Sequence, residues 1–227
     1  MRLIPVFPLT WVFLAVVLLA KPMAVASPDL VSTTSASSSA NPTDPAPGMF
    51  LVSKRSLKDL SFGQSVVYLL EHDETGTQGL IVNRASDVTL SEVIPDVDGI
   101  QKVENVLHYG GPVGLSSIFM LVRTNAASEG LFHISNGVYV STDRRVLDEV
   151  INKKFPLNDV RFYLGYAGWA AGQLDFEFKR GSWHLITADP DEIFTKDIQS
   201  LWPRLIDQLE PKLDPVAYGS SLADSPN

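Results

Sequence analysis

The residues that could carry out chemistry are few in this chain and stand far apart. The four histidines, His72, His108, His133 and His184, are separated by 25 residues or more, and there is no cysteine. Metal sites need closely spaced ligands, and thiolate chemistry needs cysteine. The phosphate-binding motifs Gly-x-x-x-x-Gly-Lys-Ser/Thr and Gly-x-Gly-x-x-Gly are also missing from the sequence. We therefore expect neither a metal nor a cofactor.

A serine hydrolase would need its nucleophile in a sharp turn, typically within Gly-x-Ser-x-Gly, beside an oxyanion hole. The chain has no such motif, although His108-Tyr-Gly110-Gly111 faintly resembles an oxyanion loop. The favoured interpretation is a tight turn at a strand end, with Pro112 fixing the exit. A hydrolase with a composite site near His72 or His108 remains the alternative.

The segment GYAGWAAGQL contains the most unusual grouping of side chains. Tyr166, Trp169 and Gln173 combine two aromatic rings with a group that both donates and accepts hydrogen bonds. They could form the wall of a binding pocket. The favoured hypothesis gives Trp169 a structural role instead, closing the end of a curled sheet while neighbouring glycines relieve crowding.

Asn83 and Arg84 follow a buried apolar run and are the remaining polar candidates. Arg84 could bind a carboxylate or a phosphate in bidentate fashion, or form an ordinary ion pair with Glu71 or Glu92. No catalytic residue is predicted. The predicted binding residues are His72, Asn83, Arg84, Gly110, Gly111, Tyr166, Trp169 and Gln173.

Composition excludes several classes of protein. With 227 residues, of which 45% are hydrophobic, the chain has material for one folded domain with appendages. Its 26 acidic residues outnumber 18 basic ones, and the net charge of −8 argues against nucleic acid as a partner. An unidentified protein or small molecule is the expected partner.

The first 26 residues have the pattern of a signal peptide. An apolar core at residues 9–20 precedes Ala24-x-Ala26, so we expect cleavage after Ala26 and export to the periplasm or cell envelope. Contact with the membrane would then be transient. A cytoplasmic protein with a misassigned start, or an uncleaved anchor, is the alternative. The remaining chain divides into a disordered Ser/Thr/Ala/Pro linker at 27–47, a domain at 48–213 and a flexible tail at 214–227.

Hydrophobic patterning predicts an α+β domain without regular strand–helix alternation. A stripe of Val146, Leu147, Val150 and Ile151 predicts a helix, and a second helix, interrupted by Pro203, is expected near the C-terminus. Gly76 is predicted to lie in the turn of a hairpin. The predicted strands cover residues 49–53, 65–70, 80–82, 106–109, 118–122, 138–140 and 162–164.

Several segments in this order resemble one bacterial family. GMFLVS, SVVYLLEHDETGTQGLIVNR, YGGPV, GVYVSTD and LGYAGWAAGQLDFEF are similar to the YqgE/AlgH family over residues 48–209. The resemblance implies a branched antiparallel sheet curled into a pseudo-barrel with flanking helices. It implies no assigned activity, although the family name reflects a link to regulation of alginate production. A transcriptional regulator of that type is thus a third hypothesis, opposed by the acidic charge and by the export signal that members normally lack.

Two main hypotheses follow. The first is a non-catalytic binding or regulatory domain, exported to the cell envelope on a flexible tether. The second is an uncharacterised hydrolase with a composite site.

Overall fold

The computed structural model describes residues 44–211. The strands are β1 Met49–Ser53, β2 Val66–Asp73, β3 Gly76–Ile81, β4 Ala85–Thr89, β5 Val106–Tyr109, β6 Val113–Arg123, β7 Phe132–Ser135, β8 Val138–Ser141, β9 Val160–Ala170 and β10 Trp183–Thr187. The helices are α1 Leu90–Val93, α2 Arg144–Ile151, α3 Gln173–Lys179, α4 Pro190–Ile193 and α5 Leu201–Leu209, with 3₁₀ turns at Ile100–Lys102, Leu157–Asp159 and Ile198–Ser200. The predicted signal peptide, most of the linker and the tail lie outside the described residues.

The strands form one curled and branched sheet. Eight of them follow the order β10-β1-β2-β3-β9-β6-β8-β7, while β4 pairs with β5 and β5 joins β9 as a parallel branch. The remaining pairs are antiparallel. The curl brings β7 back to β2, where the Ser135 Oγ lies 3.0 Å from the Tyr68 hydroxyl. The predicted α+β pseudo-barrel with flanking helices is therefore confirmed.

Burial on both faces of the sheet explains its unbroken apolar runs. Along β2, Val66 and Tyr68 face the core inside the curl, whereas Val67 and Leu69 belong to an outer cluster covered by α3. Successive strand residues point to opposite faces, so a strand covered on both sides must be apolar throughout. A second outer cluster packs beneath α2, and the inner core is completed by residues of α4 and α5.

The two predicted helices are present, with ends that follow from their sequences. In α2 the predicted apolar stripe is buried, and the Asp143 carboxylate caps the helix by accepting a hydrogen bond from the Arg145 N–H at 2.8 Å. α5 begins at Leu201, so Pro203 falls in its first turn, where its missing N–H costs no helical hydrogen bond. Pro203 thus marks a fresh start rather than a kink.

The sequence interpretation omitted β4, β7 and β10 and shortened β2, β3, β6 and β9. β4 is largely polar, and β7 has only four residues, so neither offers the apolar run that indicates a strand. Glycines at 165 and 168 interrupt the apolar pattern of β9, yet the strand continues to Ala170. The segment predicted as a pocket wall or turn is therefore largely strand.

Candidate functional site

Two of the predicted binding residues, His72 and Trp169, lie in one row beneath α3, and a third, Gln173, is the first residue of that helix. Strand register pairs His72 with Thr77 and Thr77 with Trp169, which places the three side chains in one row across β2, β3 and β9. His72 Nδ1 lies 2.7 Å from Thr77 Oγ1, and His72 Nε2 lies 3.7 Å from Asp175 Oδ1. Gln173 begins the helix above them. His72 and Trp169 are thus neighbours of the same residue, Thr77, across the sheet.

Trp169 is buried among aromatic rings. Its side chain is 5% exposed, and its ring stacks on Phe62 with centroids 5.4 Å apart. Trp183 meets it edge-on at 6.1 Å. Both indole N–H groups donate to the same Glu177 oxygen, at 3.1 Å from Trp169 and 3.0 Å from Trp183. These contacts fit the structural role that the sequence favoured.

Glu177 is the residue of this cluster that sequence reasoning missed. Its second carboxylate oxygen accepts a hydrogen bond from Gln173 Nε2 at 3.0 Å, while Gln173 Oε1 accepts one from the Ala170 N–H at 3.1 Å. A Gln–Glu pair four residues apart is a helical signal. This helical signal was ambiguous, because Phe176 and Phe178 alternate with charged residues, a pattern that fits a strand equally well.

Asn83 and Arg84 lie away from this cluster and hold the loop before β2. Asn83 Oδ1 accepts a hydrogen bond from the Val66 N–H at 2.8 Å, and Asn83 Nδ2 donates to the Gln64 carbonyl at 3.0 Å. Arg84 donates to the Gly63 carbonyl at 3.0 Å. These are main-chain partners, and among the described residues Arg84 forms no ion pair with Glu71 or Glu92.

Gly110 and Gly111 lie where the chain crosses β9 closely. A Cβ atom at Gly110 would lie 2.3 Å from the Gly165 carbonyl oxygen, and one at Gly111 would lie 2.2 Å from the Tyr166 carbonyl carbon. The half-buried Tyr166 ring packs edge-on against Phe119 with centroids 5.7 Å apart. The two glycines therefore permit a close main-chain crossing, which the turn interpretation did not include.

A cavity of about 270 Å³, here called the mouth cavity, opens between β5, β9 and the segment that follows α4. Its wall includes His108 from β5, Arg161 from β9 and Lys196. No carboxylate is found among its lining residues within residues 44–211. The sequence placed a possible site near His108 but gave no sign of Arg161 or Lys196, because three distant segments form the wall.

His108 is neutral at physiological pH. Its ring is 6% exposed, and burial lowers its pKa to about 4. Nδ1 lies 3.2 Å from the Phe162 carbonyl, which requires a proton on Nδ1 and leaves Nε2 as an acceptor. Its other close neighbour is Tyr163, whose ring centroid is 5.2 Å away.

This low pKa predicts a pH-dependent stability. As pH falls below about 6.5, the unfolded chain takes up a proton at residue 108 that the native state refuses until about pH 4. Stability is therefore full above pH 6.5 and falls towards pH 4, by up to about 3 kcal/mol. Urea unfolding at several pH values should show this slope reduced in His108→Gln but retained when the exposed His133 is changed to Gln. Equal slopes in both variants would contradict it.

Tyr163 carries a buried hydroxyl without a hydrogen-bond partner among the described residues. Because such a group loses water without compensation, Tyr163→Phe should raise the free energy of unfolding by about 1 kcal/mol. The matched variant Tyr68→Phe removes the same atom from another buried ring but breaks the contact with Ser135, so it should lower stability by a similar amount. Urea denaturation decides the matter, and equal destabilisation in both variants would refute the prediction.

A second cavity of about 230 Å³ lies beside α3 and is lined in part by Lys58, Phe176, Glu177 and Arg180. None of the eight predicted binding residues lines either of these two cavities.

Within residues 44–211, no group of three or more histidine, aspartate or glutamate side chains could hold a metal ion. In the same range no helix has the length and apolar character needed to cross a membrane.

The fold places the protein in the α+β class, and comparison with known proteins identifies its family. The profile of a family described as AlgH-like matches residues 50–214, and the chain belongs to that family. The UPF0301 protein of Chlorobaculum tepidum is 33% identical over 161 residues, covering 70% of this chain and 84% of that protein. A UPF0301 protein of Bacteroides fragilis is 33% identical over 171 residues, covering 75% and 86% respectively.

Two solved structures share the fold. The solution structure of the AlgH protein from Pseudomonas aeruginosa has a TM-score of 0.62 at 27% identity, covering 83% of this chain and 100% of that one. The crystal structure of protein DIP2367 from Corynebacterium diphtheriae has a TM-score of 0.59 at 27% identity, covering 73% and 88%. The resemblance read from the sequence motifs is thereby confirmed.

Proposed function

We propose that this chain is a non-catalytic binding domain of the cell envelope whose small-molecule ligand occupies the mouth cavity. The observation that carries the proposal is the wall of that cavity, because Arg161, Lys196 and the neutral His108 are among the residues that line about 270 Å³ of space. Ligand sites are typically concave and have a few placed polar groups.

The state of His108 supports binding rather than catalysis in this cavity. A general base works best with a pKa near the operating pH, whereas burial lowers the pKa of His108 to about 4. Its Nδ1–H is engaged with the Phe162 carbonyl. Such a group is a hydrogen-bond acceptor for a ligand and a weak base for a reaction.

A titration of the isotope-labelled full chain tests the binding site. The probes are benzyl alcohol, benzylamine and benzoate, which share a ring and differ in charge. At least one probe should shift the NMR resonances of the backbone amides of residues 105–108, 158–161 and 195–198. Ala85 lines the cavity, so Ala85→Trp should occupy part of its volume and abolish these shifts. Ala127→Trp on an exposed loop should leave the shifts unchanged. Shifts from none of the probes would overturn the proposal.

The proposed location rests on the apolar core at residues 9–20 and on Ala24-x-Ala26, which lie outside the described residues. N-terminal sequencing of the native protein from a cell-envelope fraction should begin at Ser27. Intact Met1 on a cytoplasmic species would overturn this part of the proposal and leave the binding site standing.

A hydrolase is the second candidate, because Thr77, His72 and Asp175 lie in the order nucleophile, base and acid, at 2.7 and 3.7 Å. In that reaction the Thr77 hydroxyl would attack an ester carbonyl while His72 takes its proton; the alcohol would leave with that proton, and water would then hydrolyse the acyl ester on Thr77 to release the acid. Thr77 is only 7% exposed, which limits access. Hydrolysis of p-nitrophenyl acetate that is lost in both Thr77→Val and His72→Gln would favour this candidate, and equal rates in the variants would exclude it.

A further inference from the structure

We propose that the mouth cavity recognises an oxyanion, the carboxylate or phosphate group of a small molecule, through Arg161 and Lys196. This inference rests on the proposed function and adds the chemical class of the ligand. Three observations support it: the positive charge of the wall, the pairing of nearby carboxylates with Arg123, and the size of the cavity.

Arg161 is a partly buried cation whose hydrogen bonds go to main-chain carbonyls. It donates to the carbonyls of Phe194 at 2.5 Å and Thr195 at 3.3 Å, and to those of Val160 and Asn158 at 3.1 and 3.4 Å. These contacts fix the guanidinium in the wall without neutralising its charge. Burial disfavours an uncompensated charge and lowers the pKa of Arg161, so an anion in the cavity would relieve this cost.

The nearby acidic residues compensate this charge only in part: Asp159 raises the pKa of Arg161 electrostatically, but it forms no ion pair with it. Asp159 is bound by Arg123 at 2.6 Å, and Arg123 also pairs with Asp191 at 2.6 Å. Within residues 44–211, no carboxylate forms an ion pair with Arg161 or Lys196. Two positive charges therefore line the cavity without a paired counter-ion.

The rest of the molecule makes this local charge distinctive. The chain carries a net charge of −8, yet the cavity wall contains two cations and, among its described residues, no acid. A concave wall of one sign concentrates its field on a small ion. With about 270 Å³ of space, the cavity exceeds the roughly 150 Å³ that suffices for benzene, so a ring carrying one anionic group fits.

Calorimetric titration of the full chain tests the charge preference with three probes of one shape: benzoate, phenyl phosphate and benzyl alcohol. Both anions should bind more tightly than benzyl alcohol, and their affinity should fall as ionic strength rises. If only one anion binds, the inference is still supported and the head group is identified.

Lys196 supplies the decisive variant because it is exposed on a loop and its replacement leaves the core intact. Lys196→Glu should weaken anion binding about tenfold and Lys196→Gln about threefold, since charge reversal adds repulsion to the lost attraction. The matched control Lys179→Glu changes an exposed lysine on α3, a helix that contributes no residue to the lining of the mouth cavity, and should alter the affinity less than twofold. Circular dichroism checks that each variant is folded.

The outcomes separate this inference from the proposed function. Benzyl alcohol binding as tightly as the anions, or anion binding unchanged by Lys196→Glu, would overturn the oxyanion assignment while a binding cavity remains. Binding of none of these probes, nor of benzylamine, would overturn both.

Discussion

Trp169→Ala should destabilise the protein by about 3–5 kcal/mol, the usual cost of truncating a buried aromatic residue. The indole is 5% exposed, stacks on Phe62 and meets Trp183 edge-on. Its loss leaves a cavity in the outer cluster beneath α3 and removes one of two indole donors from the Glu177 carboxylate. Urea unfolding should therefore show a large fall in the transition midpoint with little change in slope.

Phe176→Ala is the matched control, because Phe176 lies on α3 above the same cluster but is 60% exposed. Its truncation should change the free energy of unfolding by less than about 1 kcal/mol. A loss below about 1 kcal/mol for Trp169→Ala would instead make Trp169 a residue of a binding surface. Trp169 and Gln173 would then become the leading ligand contacts.

Gly110→Ala should cost about 3 kcal/mol or more, at the upper end of overpacking effects. The added Cβ would lie 2.3 Å from the Gly165 carbonyl oxygen and 2.9 Å from Leu80 Cδ2. The main chain cannot withdraw, because Gly110 donates to the Leu164 carbonyl at 2.9 Å and accepts from the Ile81 N–H at 2.8 Å. The measurement is the free energy of unfolding, with soluble yield as a second readout.

Gly172→Ala provides the comparison for this prediction. Gly172 has φ +71° but no atom within 4 Å of an added Cβ, so its substitution should cost only the conformational strain of about 1–2 kcal/mol. If Gly110→Ala is no more destabilising than Gly172→Ala, the close crossing at β9 does not constrain the fold.

The parts of the fold that could be predicted are those set by local periodicity. The apolar stripe of α2 lies within eight consecutive residues, and the hairpin of β2 and β3 needs only two apolar runs and a tight turn. That turn consists of Glu74 and Thr75, whereas Gly76, predicted to lie in it, is the first residue of β3 and pairs with Asp73. The predicted strand ends at residue 164, just before Gly165, whereas β9 continues past Gly165 and Gly168, which lie where residues 110–114 cross close by. That proximity is a tertiary fact without a local signature.

The site was predicted unevenly for the same reason. His72 and Trp169 share a row because Thr77 pairs with both, a relation fixed by strand register that the hairpin partly implied. The mouth cavity joins His108, Arg161 and Lys196, which come from three segments distant in sequence. Spacing rules for metals or phosphates cannot find such a wall, because no two of its charged groups are neighbours in the chain.

A crystal structure of the full chain grown with phenyl phosphate tests the central claim most directly. The account predicts density for the ligand in the mouth cavity, with phosphate oxygens within hydrogen-bond distance of Lys196 Nζ and close to the Arg161 guanidinium. Ligand bound instead in the cavity lined by Lys58 and Arg180, with the mouth cavity unchanged, would contradict it.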